Sequence, residues 1–322
     1  MDTRFTRQFG IQLPIVGAPM GKVAGGRLAA AVSAAGGLGL IGGGYGEADW
    51  LEREFAAAGD ARIGVGFITW SLAKQPQLLE QALAHRPAAV MLSFGEVAPF
   101  APRIREAGAR LICQVQTVAM AREALAAGAD VLVAQGSEAG GHGLQRATFT
   151  LVPEVADLIA REAPDTLLLA AGGVADGRGL VAALALGADG VLVGTRLLMS
   201  PEALFPPGLQ AAARAADGDL TVRSTVPDLA RRYVWPPGFT ARILHTGYAA
   251  EWHGREQELV EPPVLAREEA RYWRGVAEGN PQDTCVMVGE GVGLIDDVAP
   301  AAELVRRMAA QARECLSALP RR

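Results

Sequence analysis

Cysteine, histidine and aromatic residues are scarce in this chain of 322 residues, and the chain carries no net positive charge. The three cysteines, Cys113, Cys285 and Cys315, lie far apart, and the sequence contains neither a CxxC pair nor histidines at metal-ligand spacing. Nothing in this spacing suggests a disulfide framework, and we expect no metal site. The formal net charge of −5 leaves no broad basic field that could attract nucleic acid.

Long apolar runs are also missing. No uninterrupted stretch is long enough to predict a membrane span, and the segment Met1–Phe5 lacks the apolar core of a signal peptide. We therefore expect a cytoplasmic protein with neither a membrane nor a nucleic acid as partner. Half of the residues are hydrophobic, and the length suits a barrel of roughly 250 residues with an insertion.

What the chain does contain is a recurring unit in which a helical stretch ends in glycine and an apolar run follows at once. It occurs at Ala35–Gly42, Ala107–Ile112, Ala127–Val133 and Leu186–Val193. Glycine suits the residue after a helix because left-handed backbone angles cost it little. The runs are continuously apolar, as expected for strands covered on both faces, so the alternation predicts a parallel sheet.

Eight strands are predicted in this way, with seven Ala-rich helical segments between them. The strands are Leu13–Ala18, Leu38–Gly42, Ile63–Thr69, Ala89–Ser93, Leu111–Val115, Val131–Gln135, Leu167–Ala171 and Val191–Gly194. This number favours an α/β fold closed into a (β/α)8 TIM barrel over an open doubly wound sheet. Gly37–Gly42 matches GxGxxG in letters, but its glycines run through a predicted strand, so we reject a dinucleotide fingerprint.

The eighth helix is displaced along the sequence. A stretch with many proline and aromatic residues follows the eighth strand, and a long amphipathic helix returns only at Ala299–Leu319. We expect residues 1–199 and 291–322 to form the barrel and residues 200–290 to form an insertion that covers its mouth; the alternative is a separate helical subdomain. The helix Ala299–Leu319 would permit a homodimer, although such helices more often pack in the core.

Glycine-rich turns follow strands seven and eight, at Ala171–Val174 and Val193–Arg196. Turns of this kind present free N–H groups that bind phosphate, and Thr195 adds a hydroxyl group. The glycines could instead merely permit tight turns, but two adjacent turns favour a phosphate. Small residues at Gly17–Gly21 would let a planar ligand approach the backbone, so we predict FMN as the cofactor.

His142 is the strongest catalytic candidate. It lies in the glycine-rich segment Gln135–Gly143 after strand six, where a neutral imidazole could accept a proton or bind an anionic substrate. Gln114 and Gln116 share one face of strand five, where they could contact a ligand or close the barrel by hydrogen bonds. Ser93 and Trp70 could likewise either contact a ligand or have a structural role. His85, His245 and His253 are weaker candidates.

These segments resemble the nitronate monooxygenase family, formerly called 2-nitropropane dioxygenases. This group of FMN barrels also includes a bacterial enoyl-acyl-carrier-protein reductase and NADH:quinone reductases. The resemblance spans Pro14–Arg196 and resumes at Val288–Ile295, and its most specific segments are Gln135–Gly143, Ala171–Gly177 and Gly187–Arg196.

The resemblance implies a set of site residues. His142 matches the family's active-site histidine. FMN contacts are implied at Gln135, Gly140, Gly173, Leu192, Val193, Gly194 and Thr195, with Ala18 and Met20 near the ring. Gly66 departs from the family, because many relatives place a flavin-contacting Asn there, and this implies a differently shaped pocket beside Phe67 and Trp70.

The implied reaction is FMN-dependent oxidation of an alkyl nitronate by O2, which gives a carbonyl compound and nitrite. His142 would hold the nitronate oxygens or remove the α-proton of a neutral nitroalkane. One alternative is an NAD(P)H-dependent flavin reductase of quinones or enoyl thioesters, which Gly42–Gly44 keeps open. An acidic carrier protein would need a basic rim. The sequence shows no compact basic cluster, but five arginines of the insertion could converge, namely Arg231, Arg232, Arg242, Arg255 and Arg267. A second alternative is a non-catalytic flavin-binding protein, against which His142 argues.

Overall fold

The computed structural model describes residues 1–318. Within that range the strands are β1 (Ile15–Gly17), β2 (Leu38–Gly42), β3 (Gly64–Ile68), β4 (Ala89–Ser93), β5 (Arg110–Val115), β6 (Val131–Gln135), β7 (Gly141–Gly143), β8 (Leu167–Ala171), β9 (Gly190–Val193), β10 (Thr221–Ser224) and β11 (Thr240–Leu244).

The helices of the same range are α1 (Arg4–Phe9), α2 (Gly26–Ala34), α3 (Ala48–Ala58), α4 (Thr69–Leu72), α5 (Gln77–Ala84), α6 (Ala101–Glu106), α7 (Val118–Ala126), α8 (Thr148–Glu162), α9 (Gly177–Ala185), α10 (Thr195–Leu198), α11 (Pro207–Arg214), α12 (Val226–Ala230), α13 (Tyr248–Trp252), α14 (Glu256–Leu259), α15 (Pro262–Glu278) and α16 (Ala301–Ala318). Short 3₁₀ helices lie at Gly218–Leu220 and Glu290–Leu294.

Eight parallel strands close into a barrel in the order β1-β2-β3-β4-β5-β6-β8-β9. Closure is made by β9 and β1, where Leu192 lies opposite Val16. The predicted (β/α)8 barrel is therefore confirmed, and each of the eight predicted strands is present with ends that shift by no more than two residues. The GxGxxG letters run into β2, in agreement with their rejection as a dinucleotide fingerprint.

The barrel interior is filled by side chains, and its amino-terminal end is closed. Phe5 and Phe9 of α1 are buried against the first residues of several strands, with ring centroids 4.5 Å apart. A second, larger apolar layer lies between the strands and the surrounding helices. Because α1 covers the amino-terminal end, a ligand has access to the barrel at the carboxyl ends of the strands.

The displaced helix α16 completes the outer ring. It packs against α9 and α2, where the eighth barrel helix belongs. Its apolar face, with Leu304, Val305 and Met308, is buried, so this helix packs in the core. That face is therefore not available as the surface of a homodimer. Leu319, the last residue of the predicted helix, lies outside the described residues. No helix within residues 1–318 is both long and apolar enough to cross a membrane.

A small antiparallel sheet with the order β10-β11-β7 lies outside the barrel. Its strand β7 leaves the barrel after β6, whereas β10 and β11 belong to the segment that follows β9. The sequence predicts a loop at Gly141–Gly143, because three residues with two glycines carry no strand pattern. The main chain of β11 supplies the missing partner, with Ala241 opposite His142.

We predict that the paired glycines Gly17 and Gly39 of β1 and β2 tolerate alanine very differently. A Cβ on Gly39 would lie 1.9 Å from the carbonyl oxygen of Ala29, whereas a Cβ on Gly17 meets only side-chain methyl groups at 3.4 Å. Gly39→Ala should lower the free energy of unfolding by about 3 kcal/mol or more, and Gly17→Ala should change it by less than about 1 kcal/mol. Chemical denaturation of both variants tests this; equal stabilities would contradict the packing described here.

Candidate active site

A cavity of about 270 Å³ lies at the carboxyl ends of the barrel strands. It brings together nearly all of the predicted site residues, namely Ala18, Met20, Gln135, Gly140, His142, Gly173, Leu192, Gly194 and Thr195. Val193 is the exception. Its side chain is buried in the layer between strands and helices, and its carbonyl oxygen accepts the Ala18 N–H at 2.9 Å.

One end of the cavity is bounded by backbone rather than by side chains. A Cβ on Gly194 would meet nothing nearer than the Sδ of Met20 at 3.6 Å, and Gly173 has φ of 75° with its nearest neighbour 3.7 Å from such a Cβ. Thr195 Oγ1 accepts the N–H of Gly289 at 2.9 Å, which leaves its own hydroxyl hydrogen available to donate. This end fits a group that is recognised by N–H and O–H donors, such as a phosphate.

The same end is closed by the segment at which the family resemblance resumes. Gly289 and Gly291 line the cavity beside Gly140. A Cβ on Gly140 would lie 2.6 Å from the nitrogen of Gly289, so this close approach requires glycine. The N–H of Glu290 also donates to the carbonyl oxygen of Glu138 at 2.9 Å, which fixes the segment across the barrel mouth.

Three glutamines form a hydrogen-bonded cluster at the ends of β5 and β6. Gln135 Oε1 accepts from Gln114 Nε2 at 2.6 Å and from Gln116 Nε2 at 2.7 Å. Gln135 Nε2 donates to the carbonyl oxygen of His142 at 3.1 Å. Gln114 and Gln116 thus face the same side, as predicted, and Gln135 links the barrel to β7. Gln114 and Gln135 also line the cavity.

His142 is held by a carboxylate from the segment that follows the barrel strands. Its Nε2 lies 2.9 Å from both carboxylate oxygens of Asp228, and the two side chains are only 8% and 5% exposed. Asp228 Oδ1 also accepts from Arg231 Nη2 at 2.8 Å. Burial lowers the pKa of His142 below 6.5 although Asp228 opposes this effect, and Arg231 and Arg223 lower it further. The imidazole is therefore neutral at pH 7.

Aromatic side chains enclose His142 on its other side. The ring of Trp235 stacks on the imidazole with 3.5 Å between centroids and 5° between planes. Trp235 is fixed in turn by edge contacts with Phe94 and Trp70 and by a 3.0 Å hydrogen bond from its Nε1 to the Tyr45 hydroxyl. Burial raises the pKa of Tyr45 to about 12, so its hydroxyl stays protonated.

Asp228, Arg231 and Tyr45 could not be predicted from the sequence as neighbours of His142 and of the Trp235 ring that stacks on it. They lie in two distant segments that carry no motif, and only the closed fold brings them together. Trp235 was visible as part of the aromatic-rich stretch, but nothing in the sequence assigned it to the histidine.

The remaining candidates divide between the cavity and other places. Ser93 lines the cavity, whereas Trp70 lies behind Trp235. His85 pairs with Glu52 on the outer surface at 3.1 Å. His245 and His253 pack against each other with centroids 5.5 Å apart, and neither is among the cavity-lining residues of the described chain.

Gly66 lines the cavity at a point where a side chain has no room. A Cβ there would lie 2.3 Å from Cγ and 2.5 Å from Cβ of Pro19, in the turn after β1. Pro19 therefore fills the space into which an Asn side chain would begin to extend. This gives a physical reason for the departure from the family pattern.

The five arginines considered as a basic rim are all paired with carboxylates. Arg231 pairs with Asp228, Arg232 with Glu269, Arg242 with Glu290, Arg255 with Glu258 and Arg267 with Glu268. Each positive charge is thus locally compensated, and these residues do not form the uncompensated basic surface that an acidic carrier protein would need.

Comparison with known families decides the family of this chain. The sequence profile described as nitronate monooxygenase matches residues 2–61 and 68–311. The chain belongs to the nitronate monooxygenase family.

Individual relatives agree with this assignment. A nitronate monooxygenase of Metarhizium robertsii is 36% identical, over 95% of this chain and 92% of its own length. The solved structure of FabK from Thermotoga maritima is 31% identical with a TM-score of 0.86 and covers 99% of this chain and 98% of its own. A nitroalkane oxidase of Streptomyces ansochromogenes is 27% identical with a TM-score of 0.79 and covers 98% of this chain and all of its own.

We predict that Gly66→Asn destabilises this protein, although many relatives carry Asn there. The clash with Pro19 should cost about 2 kcal/mol or more in the free energy of unfolding. Adding Pro19→Gly should recover at least about 1 kcal/mol relative to the sum of the single substitutions. A double-mutant cycle by denaturation, with Pro19→Gly alone as control, measures this coupling, and strict additivity would show that the two residues do not compete for the same space.

Proposed function

We propose that this protein is an FMN-dependent oxidoreductase that oxidises alkyl nitronates with O2 to a carbonyl compound and nitrite. One observation carries the proposal: a neutral, buried histidine held by Asp228 lies in the wall of a cavity whose other end is bounded by glycine backbone. A titrating side chain so placed is needed for chemistry beside a cofactor but not for simple cofactor storage.

The cofactor contacts follow from the cavity walls. Gly173, Gly194 and Thr195 would hold the phosphate through N–H and O–H donors. Ala18, Met20, Leu192, Gln135 and Gly140 would line the remainder of the cofactor-binding part of the cavity. Val193 could contribute only through its main chain, because its side chain faces the outer layer. When bound, FMN supplies the electron transfer from the substrate carbon and the reaction with O2.

The residues of the chain bind and orient the substrate. Trp235 and Phe94 give the substrate side of the cavity an apolar wall next to His142. Such a wall excludes water and strengthens the electrostatic effect of each polar group that remains. His142 would contact the nitro group or the α-carbon of the substrate.

We further propose that residues 200–290 act as the cover of the barrel mouth, with residues 1–199 and the described part of 291–322 forming the barrel. In support, Arg231, Trp235 and Met287 line the same cavity as the strand ends. The cover is anchored to the barrel through the pairing of β11 with β7.

The test is anaerobic mixing of the oxidised holoenzyme with either propyl nitronate or NADH. We expect the nitronate to bleach the flavin absorbance and NADH to leave it unchanged. Bleaching by NADH alone would instead identify a flavin reductase, and no response to either reagent would favour a binding protein. His142→Ala should keep the flavin spectrum but slow bleaching by a neutral nitroalkane by at least about 100-fold, because the group that would remove the α-proton is then missing.

The proposed phosphate site predicts the behaviour of Gly194→Ala. The new methyl group enters the cavity and meets protein atoms only at 3.6 Å or beyond, so the apo-protein should unfold at the same denaturant concentration as the wild type. FMN should bind at least about tenfold more weakly, as measured by fluorescence titration. Gly17→Ala is the matched control, since its methyl group points into the core. Unchanged FMN affinity in Gly194→Ala would place the phosphate elsewhere.

A further inference from the structure

We propose that the Tyr45 hydroxyl and the Arg231 guanidinium bind the two oxygens of the substrate nitro group, so that the site selects the planar nitronate anion. The inference rests on the proposed function and deepens it, because it names the residues that recognise the substrate. Both side chains line the cavity, and both lie on the side of His142, Tyr45 through Trp235 and Arg231 through Asp228.

Tyr45 is fixed in the cavity wall by its loop and by its neighbours. It lies between Gly44 and Gly46, whose φ values of 55° and 96° favour glycine. Its carbonyl oxygen accepts from Ser71 Oγ at 2.7 Å, and its ring stacks on Tyr233 with 4.0 Å between centroids. The hydroxyl group therefore has a defined position before any ligand binds.

The hydroxyl group of Tyr45 has a hydrogen bond left to donate. Its oxygen already accepts the Nε1–H of Trp235 at 3.0 Å, and within residues 1–318 no acceptor pairs with its own hydrogen. Burial raises the pKa of Tyr45 to about 12, so the hydroxyl keeps this proton at neutral pH. Because Tyr45 lines the cavity, an oxygen atom of a ligand can supply the acceptor.

Arg231 brings a positive charge and further N–H donors to the same wall. Its Nε donates to the carbonyl oxygen of Pro227 at 2.7 Å and its Nη2 to Asp228 Oδ1 at 2.8 Å, and these bonds hold the guanidinium in place. In the described part of the chain no acceptor pairs with Nη1. The side chain is only 11% exposed, and its guanidinium carbon lies 5.8 Å from the ring centroid of Tyr45. Two neighbouring side chains thus each have a donor for one oxygen of a nitro group.

The charges that line the cavity favour an anion at this position. Arg231 is the only lysine or arginine among the cavity-lining residues of the described chain, and Glu138 is the only acidic one. The Glu138 carboxylate accepts from the N–H of Thr148 at 2.9 Å and from its hydroxyl at 2.8 Å, beside the glycine end. Asp228, which compensates Arg231, does not line the cavity. Since aromatic rings form much of the same wall, an anion needs these two donors to offset the cost of its desolvation.

The first measurement uses nitrate as the probe, because nitrate is a planar anion whose oxygens resemble those of a nitronate. We expect the oxidised wild-type holoenzyme to bind nitrate in calorimetry at constant ionic strength, and nitrate to compete with ethyl nitronate in turnover. Bleaching of the flavin by propyl nitronate without any binding of nitrate would overturn this inference and leave the proposed function intact. Binding of nitrate without bleaching would overturn the proposed function but support the anion site.

The second measurement removes the hydroxyl group of Tyr45 and keeps its stacked ring. In Tyr45→Phe the Kd for nitrate and the KM for ethyl nitronate should each rise at least about tenfold, while kcat changes by less than about threefold. Tyr233→Phe is the matched control, since it removes a hydroxyl from the other ring of the pair, and Tyr233 is not among the cavity-lining residues of the described chain. The control should leave both constants within about twofold of the wild type. Equal effects of the two variants would overturn the role of the Tyr45 hydroxyl.

The third measurement isolates Arg231 without leaving a buried charge unpaired. Asp228→Asn alone deprives the guanidinium of its compensating carboxylate, so nitrate should bind at least as tightly as in the wild type. Adding Arg231→Met to that variant should raise the Kd for nitrate at least about tenfold. Equal Kd values for the single and the double variant would overturn the role of Arg231. If these two variants do not fold, Tyr45→Phe still decides the proposal, because it keeps every packed ring and every charge.

Discussion

The pairing of β7 with β11 is the constraint on which the substrate side of this site depends. Strand β7 is three residues long and leaves the barrel immediately after β6, so it cannot hold its side chains in place alone. The main chain of β11 fixes it with Ala241 opposite His142, and the amide of Gln135 holds the carbonyl oxygen of His142 from the barrel side. His142 is thus positioned by β11 and by Gln135 of β6, which are distant from each other in sequence. Its imidazole contacts Asp228 only when both of these parts are folded.

The buried pair of His142 and Asp228 is stable only if the negative charge of Asp228 is compensated. Removing a carboxylate from water costs several kcal/mol, and Asp228 offsets this cost through Arg231 on one oxygen and through His142 Nε2 on both. Arg231 is itself surrounded by tyrosine rings, with its guanidinium carbon 4.9 Å from the ring centroid of Tyr233 and 5.8 Å from that of Tyr45. Such a network is stabilising only when every member is present. It therefore couples the geometry of His142 to the folding of the segment after β9.

The barrel could be predicted from the sequence because its signals are local. A glycine at a helix end followed by a continuous apolar run marks four of the strands, and eight short apolar runs in all leave few alternatives to closure. The glycine-rich turns after β8 and β9 could be found for the same reason. Strand β7 and the companions of His142 could not, since Gly141–Gly143 has no strand propensity of its own and Asp228 and Tyr45 are about 90 and 100 residues away from His142 along the chain. Their contacts depend on non-local pairing, which no local pattern encodes. Gly66 could be recognised from the sequence as a departure from the family pattern. Its cause could not, because the ring of Pro19 that fills the space follows a different strand, β1.

The sequence of a relative therefore says more about the glycine end of the cavity than about the end around His142. The glycine end depends on backbone shape, and a short motif suffices to preserve that shape. The end around His142 depends on Phe94 directly after β4, on α12 and on the loop before β11. Phe94 has a φ of 65°, which non-glycine residues seldom adopt. A backbone conformation of this kind costs about 1–3 kcal/mol, so the packing of Phe94 against Trp235 and His142 must hold it in place. Similarity across the family thus supports a shared cofactor more strongly than a shared substrate, and the substrate of this chain must be argued from Asp228, Trp235 and Phe94 themselves.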